Sequence, residues 1–255
     1  MYLTWLDSNS WLVEMGEQRI LVDPWLVGPL VFGNLPWLFK AERRQDRPIP
    51  ESLDLILLSQ GLADHAHPPT LAQLNRQIPV VASPAAAKVV ESLGYSQIIS
   101  LQHGQSYTLN HQLTIQATVG SPLGPQVVEN GYLLTDRKTG ETLYYEPHGY
   151  HQPELQAFAP VDVVITPLLD LNLLGFPFIK GGKSALEVVQ WLKPRFVLPT
   201  AAGGDITFQG LLMQLIRGQG EIESFRRLLL DHQLDTEVMD VQPGDRLALP
   251  QAHFV

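Results

Sequence analysis

Two short segments concentrate the side chains that could hold a metal ion or move a proton. Leu57–His67 reads Leu-Leu-Ser-Gln-Gly-Leu-Ala-Asp-His-Ala-His and supplies Asp64, His65 and His67, while Leu143–Gly149 reads Leu-Tyr-Tyr-Glu-Pro-His-Gly and supplies Glu146 and His148. The chain has no cysteine, so disulfides and thiolate sites are excluded, and imidazole and carboxylate are the strong metal donors that remain. Three such donors plus a water make a workable catalytic sphere for zinc. The same residues admit a plainer reading. Asp64 and His65 would bond each other and the helix entry at Pro68, His67 would only open that helix, and Glu146 and His148 would form a buried pair. Other chemistries are poorly served: there is no Gly-x-Ser-x-Gly elbow and no thiol nucleophile. Gly182-Lys183-Ser184 looks like the end of a phosphate loop, but the required first glycine falls on Pro177, so a helix entry explains it better.

Both segments follow runs that read as strands. Leu53–Leu58 is a continuous apolar run, expected of a strand buried on both faces, and Asp64-His65 falls in the loop after it. Thr142–Tyr145 is a short strand that delivers Glu146 and His148. Tyr2–Leu6, Trp11–Met15 and Arg19–Val22 are strands parted by turn-forming Asp-Ser-Asn-Ser and Gly-Glu-Gln. Further strands are expected at Val80–Ala82, Ile98–Leu101, Ser106–Leu109, Leu113–Val119, Tyr132–Thr135, Val161–Ile165, Phe196–Leu198, Glu237–Val241 and Arg246–Leu249. Helices are expected from Pro68-Pro69, over Pro84–Leu93 ended by Gly94, over Ser184–Leu192 with Ser184 and Glu187 as a capping box, and over Thr207–Ile216 and Ile222–Asp231. Two apolar loops stand apart: Pro24–Phe39 with Trp25, Phe32, Trp37 and Phe39, and Leu168–Gly182 with Leu173, Leu174, Phe176 and Phe178. They either cover the sheets or an oligomer contact, or line the mouth of an apolar pocket.

No repeat or low-complexity linker divides the 255 residues, so one domain, 1–255, is expected. The net charge of −9, with no basic run, speaks against a nucleic-acid partner or an anionic membrane surface. Met1 to Gly16 has no signal-peptide pattern, and the apolar stretch Pro24–Phe39 is too short and too broken for a membrane span. A soluble, cytoplasmic protein is the expectation, as a monomer or a homo-oligomer.

The order of these motifs resembles the metallo-β-lactamase superfamily, most closely its lactonase-like branch, over roughly residues 3–205. That resemblance implies an α/β (α+β) fold, a four-layer αββα sandwich of two mixed sheets flanked by helices. The family loop Thr-His-x-His-x-Asp-His falls on Ser59, Gln60, Leu62, Asp64 and His65. In the family the first two histidines hold one metal and the aspartate-histidine pair a second, and water between them becomes the nucleophile. Here Gln60 and Leu62 replace the first two histidines, so the resemblance implies that the first site is absent. Arg19–Pro24 matches the early strand ending in a buried aspartate, Asp23, that hydrogen-bonds the metal loop. No histidine follows Leu113–Gly120, Glu146 and His148 flank the place of the bridging aspartate, and Thr200 holds the position of the last metal histidine. Two functional readings follow. One is a hydrolase of a small ester, lactone or amide with at most one divalent ion, zinc by preference, on Asp64, His65, Glu146 and His148, with His67 as a further candidate and Gln60 and Thr200 in the substrate pocket. The other is a metal-free member of the fold that binds a small molecule or another subunit.

Overall fold

The structure is a computed structural model that describes residues 1–124, 126–201 and 203–250. Two seven-stranded mixed sheets face each other. In the first, the spatial order is Arg246–Ala248, Tyr2–Trp5, Trp11–Met15, Gln18–Val22, Leu55–Leu58, Val80–Ala82 and Ile98–Ser100. In the second it is Glu237–Val238, Phe196–Pro199, Val163–Thr166, Thr142–Tyr145, Val127–Asp136, Leu113–Leu123 and Ser106–Leu109. The layering follows from side-chain alternation along each central strand. Leu55 and Leu57 enter the core between the sheets with Val163, Ile165, Phe196 and Leu198. Ile56 and Leu58 point the other way, onto the helix Pro84–Ser92 and the turn of helix Pro68–Leu71. On the opposite flank Val164 and Val197 meet the helices Gly182–Leu192 and Ile222–Asp231. The expected αββα sandwich is therefore what the chain forms. Among the described residues no helix is long and apolar enough to cross a membrane.

Half of each sheet is parallel. Gln18–Val22, Leu55–Leu58, Val80–Ala82 and Ile98–Ser100 run together, as do Thr142–Tyr145, Val163–Thr166, Phe196–Pro199 and Glu237–Val238. Ligand sites in such sheets collect beyond the carboxyl ends of parallel strands. Asp23, Ser59 to His65, Glu146 to His148 and Thr200 all directly follow such ends.

Three expectations are corrected. The segment 207–216 is not a helix: Ile206–Gln209 is a strand paired with Lys40–Arg43, Leu211–Gln214 is a single tight helical turn, and Ile216–Gln219 pairs with Asp170–Leu173. Gly210 breaks any helix there, with φ at 109° and the Leu38 carbonyl oxygen 2.5 Å from where a Cβ would sit. Ser184 caps nothing, because the helix begins at Gly182 after Gly181 and the Ser184 hydroxyl donates to the Gly149 carbonyl. The two apolar loops are partly ordered as small sheets, with strands at Leu30–Val31, Lys40–Arg43, Asp170–Leu173 and Phe176–Ile179.

Candidate metal centre

The site is built around a fully buried carboxylate. Asp23 ends its strand in the left-handed region, with φ at 42°, a conformation that aspartate tolerates better than most residues. One carboxylate oxygen, Oδ1, accepts the Ser59 backbone N–H at 2.7 Å. The other, Oδ2, accepts the Ser59 hydroxyl, the Tyr145 hydroxyl at 2.7 Å and Nδ1 of His65 at 2.7 Å. This last bond keeps a proton on Nδ1 and turns Nε2 away from Asp23. Nε2 lies 3.2 Å from Nε2 of His148, 3.3 Å from Oδ2 of Asp64 and 3.4 Å from Nδ2 of Asn9. Ligand atoms of Asp64, His65 and His148 all fall within 4.8 Å of one another. On its far side, His148 Nδ1 faces the Gln60 amide at 3.1 Å and the Ser121 hydroxyl at 3.2 Å.

The electrostatics suit a cation. Among the described residues, the sole basic partner of Asp23 and Asp64 is His65, and no lysine or arginine neutralises them. Burial by itself would lower the His65 pKa, but Asp64 and Asp23 more than offset this and hold it well above its ordinary value. Burial and the neighbouring His65 push His148 down. Oδ1 of Asp64 is buried without a hydrogen-bond partner, a donor-ready atom with nothing to meet. Two imidazoles, one carboxylate and a buried second carboxylate behind one imidazole are a donor set that zinc accepts.

Not every expected residue joins this cluster. Glu146 turns into its own loop, where its Oε2 accepts the backbone N–H groups of His148 at 3.1 Å and Tyr150 at 2.7 Å. It shapes the turn that carries His148 and stands outside the ligand group, and burial pushes its carboxyl up to about 7. His67 is also outside. It accepts from the Thr70 hydroxyl at 3.0 Å and is hydrogen-bonded to the Pro29 carbonyl, while Thr70 accepts the Leu26 N–H, so His67 bolts the Trp25 loop to the helix entry. Gln60 lies behind His148 and does not reach the cavity wall described next, because its amide is taken up by Ser121 at 2.8 Å and by His148. Thr200 does line that wall, accepting the Trp11 indole N–H at 3.1 Å. Asn9, Ser121 and Tyr145 were not singled out in the sequence: an asparagine in a turn, a serine within a strand and a strand-end tyrosine carry no motif.

A cavity of about 370 Å³ opens directly above Asp64. Asn9, Ser8, Thr200 and Asp64 give it a polar floor, and Trp25, Phe39, Leu171, Phe178, Met213 and their neighbours give apolar walls. The walls come from both apolar loops and from the 206–216 segment, so the pocket-lining alternative holds for them. Asp7 ties this side together, accepting Arg43 at 2.7 Å and Arg47 at 2.6 Å, while Arg43 also stacks over Trp25 at 4.6 Å.

Residues 2–201 match the family described as the β-lactamase superfamily domain. The chain belongs to the metallo-β-lactamase superfamily. Among its superfamily relatives, a metal-dependent hydrolase of Pyrococcus furiosus is 27% identical over 205 residues, covering 77% of this chain and 82% of that protein. Another, from Caldivirga maquilingensis, is 24% identical over 260 residues and covers 98% of both. Solved structures agree in fold. An isothiocyanate hydrolase from Delia radicum gut bacteria superimposes with a TM-score of 0.70 at 16% identity, covering 99% of this chain and 100% of that one. The metallo hydrolase Igni18 of Ignicoccus hospitalis gives 0.66 at 17% identity, with 96% and 97% covered. Against the superfamily loop, this chain keeps the aspartate-histidine pair and the buried aspartate but carries Gln60, Leu62 and Thr200 where histidines are expected.

Proposed function

We propose that this superfamily member is a hydrolase of a small ester, lactone or amide that uses one divalent ion, zinc by donor chemistry, held by Asp64, His65 and His148. The reading is carried by one observation: those three ligand atoms converge within 4.8 Å, with Asp64 forming the floor of the apolar cavity. Relatives named as metal-dependent hydrolases support it. A bound divalent ion would supply Lewis acidity, polarising a carbonyl and making water a better nucleophile near neutral pH. The chain's own residues do the rest. Asp23 keeps a proton on Nδ1 of His65, so that Nε2 is the nitrogen that would give up its proton and turn its lone pair to the ion. Gln60 and Ser121 orient His148, and a half-turn of the Gln60 amide lets its oxygen accept from Nδ1 and frees Nε2. The apolar walls take the non-reacting part of the substrate and hold its carbonyl towards Asp64 and Asn9.

A second reading, a metal-free binding protein on the same cavity, is favoured by the closed hydrogen-bond chain from Gln60 through His148 to His65, which is satisfied with no ion at all. Elemental analysis of protein purified without chelator separates the two. One equivalent of metal, lost in His65→Ala, kept in Gln60→Ala and accompanied by ester hydrolysis, is the expected result. No metal in the parent protein would establish the second reading, and two equivalents surviving dialysis would overturn the ligand assignment.

A further inference from the structure

The mouth of the cavity differs from the rest of the surface. Of the twelve large apolar side chains exposed among the described residues, eight lie in three segments that form this mouth: residues 30–40, 171–180 and 206–219. The most prominent are Phe176 at 78% exposure, Leu174 at 67%, Trp37 at 63% and Leu211 at 47%. The three segments are one continuous surface. Leu211 donates its N–H to the Trp37 carbonyl, Leu174 to that of Leu215, and Ile216–Gln219 pairs with Asp170–Leu173. Each exposed tip continues into the cavity through a neighbour in sequence: Phe176 into Phe178, Leu211 into Leu212, Leu215 into Ile216.

Charge sets this surface apart as well. The chain holds 26 acidic residues and a net charge of −9, yet these three segments contain no aspartate or glutamate and carry Lys40, Lys180 and Arg217. Lys40 pairs with Glu42 at the edge of the patch, whereas Lys180 lies over the Tyr150 ring and Arg217 bonds only backbone carbonyls. The chain-wide negative charge therefore hides a local reversal, and charges more than about 8 Å away are largely screened at physiological ionic strength.

We infer that this rim is a docking surface for a lipid bilayer, so that the cavity opens into the membrane interface and is filled from it. Exposed aromatic and leucine side chains flanked by Lys180 and Arg217, which pair with no carboxylate among the described residues, are the composition that settles at headgroup depth. A contiguous apolar patch of this kind is not ordinary solvent-facing surface. A second copy of the chain fits less well. A two-fold contact would set Lys180 and Arg217 against a surface that offers them no carboxylate, and it would cover the mouth of the cavity. Among the described residues the rim reaches the metal-site residues through one hydrogen bond, the Lys180 backbone N–H to the His148 carbonyl at 2.8 Å, and a change of the Phe176 side chain leaves that bond in place.

The test uses the whole chain and vesicles of phosphatidylcholine with phosphatidylglycerol. Trp37 is a built-in reporter: it is exposed in the rim, whereas Trp5, Trp11 and Trp25 are buried and the half-buried Trp191 lies outside the rim, on the helix Gly182–Leu192. The expected result is co-sedimentation with vesicles and a blue shift of tryptophan emission, the shift being absent in Trp37→Phe. Phe176→Asp should weaken vesicle binding about tenfold or more, since burial of one phenylalanine is worth at least that in an association constant. Both substitutions are at exposed tips, and an unchanged thermal melt confirms that the fold is intact. Metal content and hydrolysis of a water-soluble ester should be the same in Phe176→Asp, which keeps this inference separable from the hydrolase reading. Absence of vesicle binding by the parent chain would overturn it, as would a concentration-dependent dimer in sedimentation velocity that buries Trp37 and is abolished by Phe176→Asp.

Discussion

Asp23→Asn is the most informative single change at the centre. The carboxylate takes four donors with no exposure to water: the Ser59 N–H on one oxygen, and the Ser59 hydroxyl, Tyr145 hydroxyl and His65 Nδ1 on the other. The amide fits the same space but offers one acceptor oxygen. Its better orientation leaves that oxygen with the three donors and turns the NH2 toward the Ser59 N–H, which loses its partner at a cost of about 1–3 kcal/mol. Three charge-assisted bonds become neutral ones, a loss of about 1 kcal/mol each, and this is offset in part because no charge is buried any longer. The net is a destabilisation of about 3 kcal/mol, or roughly 6–12 °C in Tm for a domain of this size. The second effect is on His65. Without an anion behind Nδ1 its Nε2 is a weaker and less fixed donor, and metal affinity should fall about 10–100-fold. Chemical denaturation of metal-free protein reads the first quantity, and competition with a chromophoric chelator reads the second. Tyr145→Phe is the control: it removes one donor to Asp23, should cost about 1.5–3 kcal/mol, and should leave metal affinity nearly unchanged because the His65 contact survives. Equal metal affinity in Asp23→Asn and the parent would refute the orienting role. An unchanged stability would refute the network itself.

Two further outcomes are expected. Gly149→Ala should destabilise the fold by about 3 kcal/mol or more and displace the His148 turn, because Gly149 has φ at 75° and the Lys180 carbonyl oxygen occupies the place of the new Cβ; an unchanged denaturation midpoint would refute this. His67 is held down at about 4, chiefly by burial, so the fold favours its neutral form. Its contribution is complete above the unfolded value of 6.5 and is lost as pH falls toward about 4, at about 1.4 kcal/mol per pH unit. The stability difference between the parent and His67→Gln should therefore shrink by about 1 kcal/mol over the first unit below 6.5, and a difference independent of pH would refute the neutral assignment.

The central strands were legible because parallel strands covered on both faces must be apolar at every position, and Leu55–Leu58 and Val163–Thr166 are close to that. Asp64, His65, His148 and Asp23 were legible because they keep their spacing from those strands. Glu146 and His67 looked equivalent to them, but whether a carboxylate faces a cluster or its own loop is decided by backbone N–H groups that no side-chain pattern records. The same limit hid Asn9, Ser121 and Tyr145. The false helix over 207–216 came from apolar density without regard to partners: Lys40–Arg43 and Asp170–Leu173 are unpaired edges that draw this segment into strands, and Gly210 allows the corner between them.

The margins of the two large sheets bear on how the protein behaves when concentrated. Each sheet ends in very short strands, Arg246–Ala248 and Ile98–Ser100 in one, Glu237–Val238 and Ser106–Leu109 in the other. Two to four residues expose too few free N–H and C=O groups to template another chain, so edge-to-edge polymerisation of the sandwich is blocked at all four borders. Phe176–Ile179, the outer strand of a small three-stranded sheet, is as short and carries Pro177, but three of its four residues are exposed, so it can stick through side chains rather than through free backbone groups. Crowding therefore leaves the sandwiches separate, and how sticky the protein is depends on the exposed side chains around the cavity mouth, not on backbone pairing between sheets.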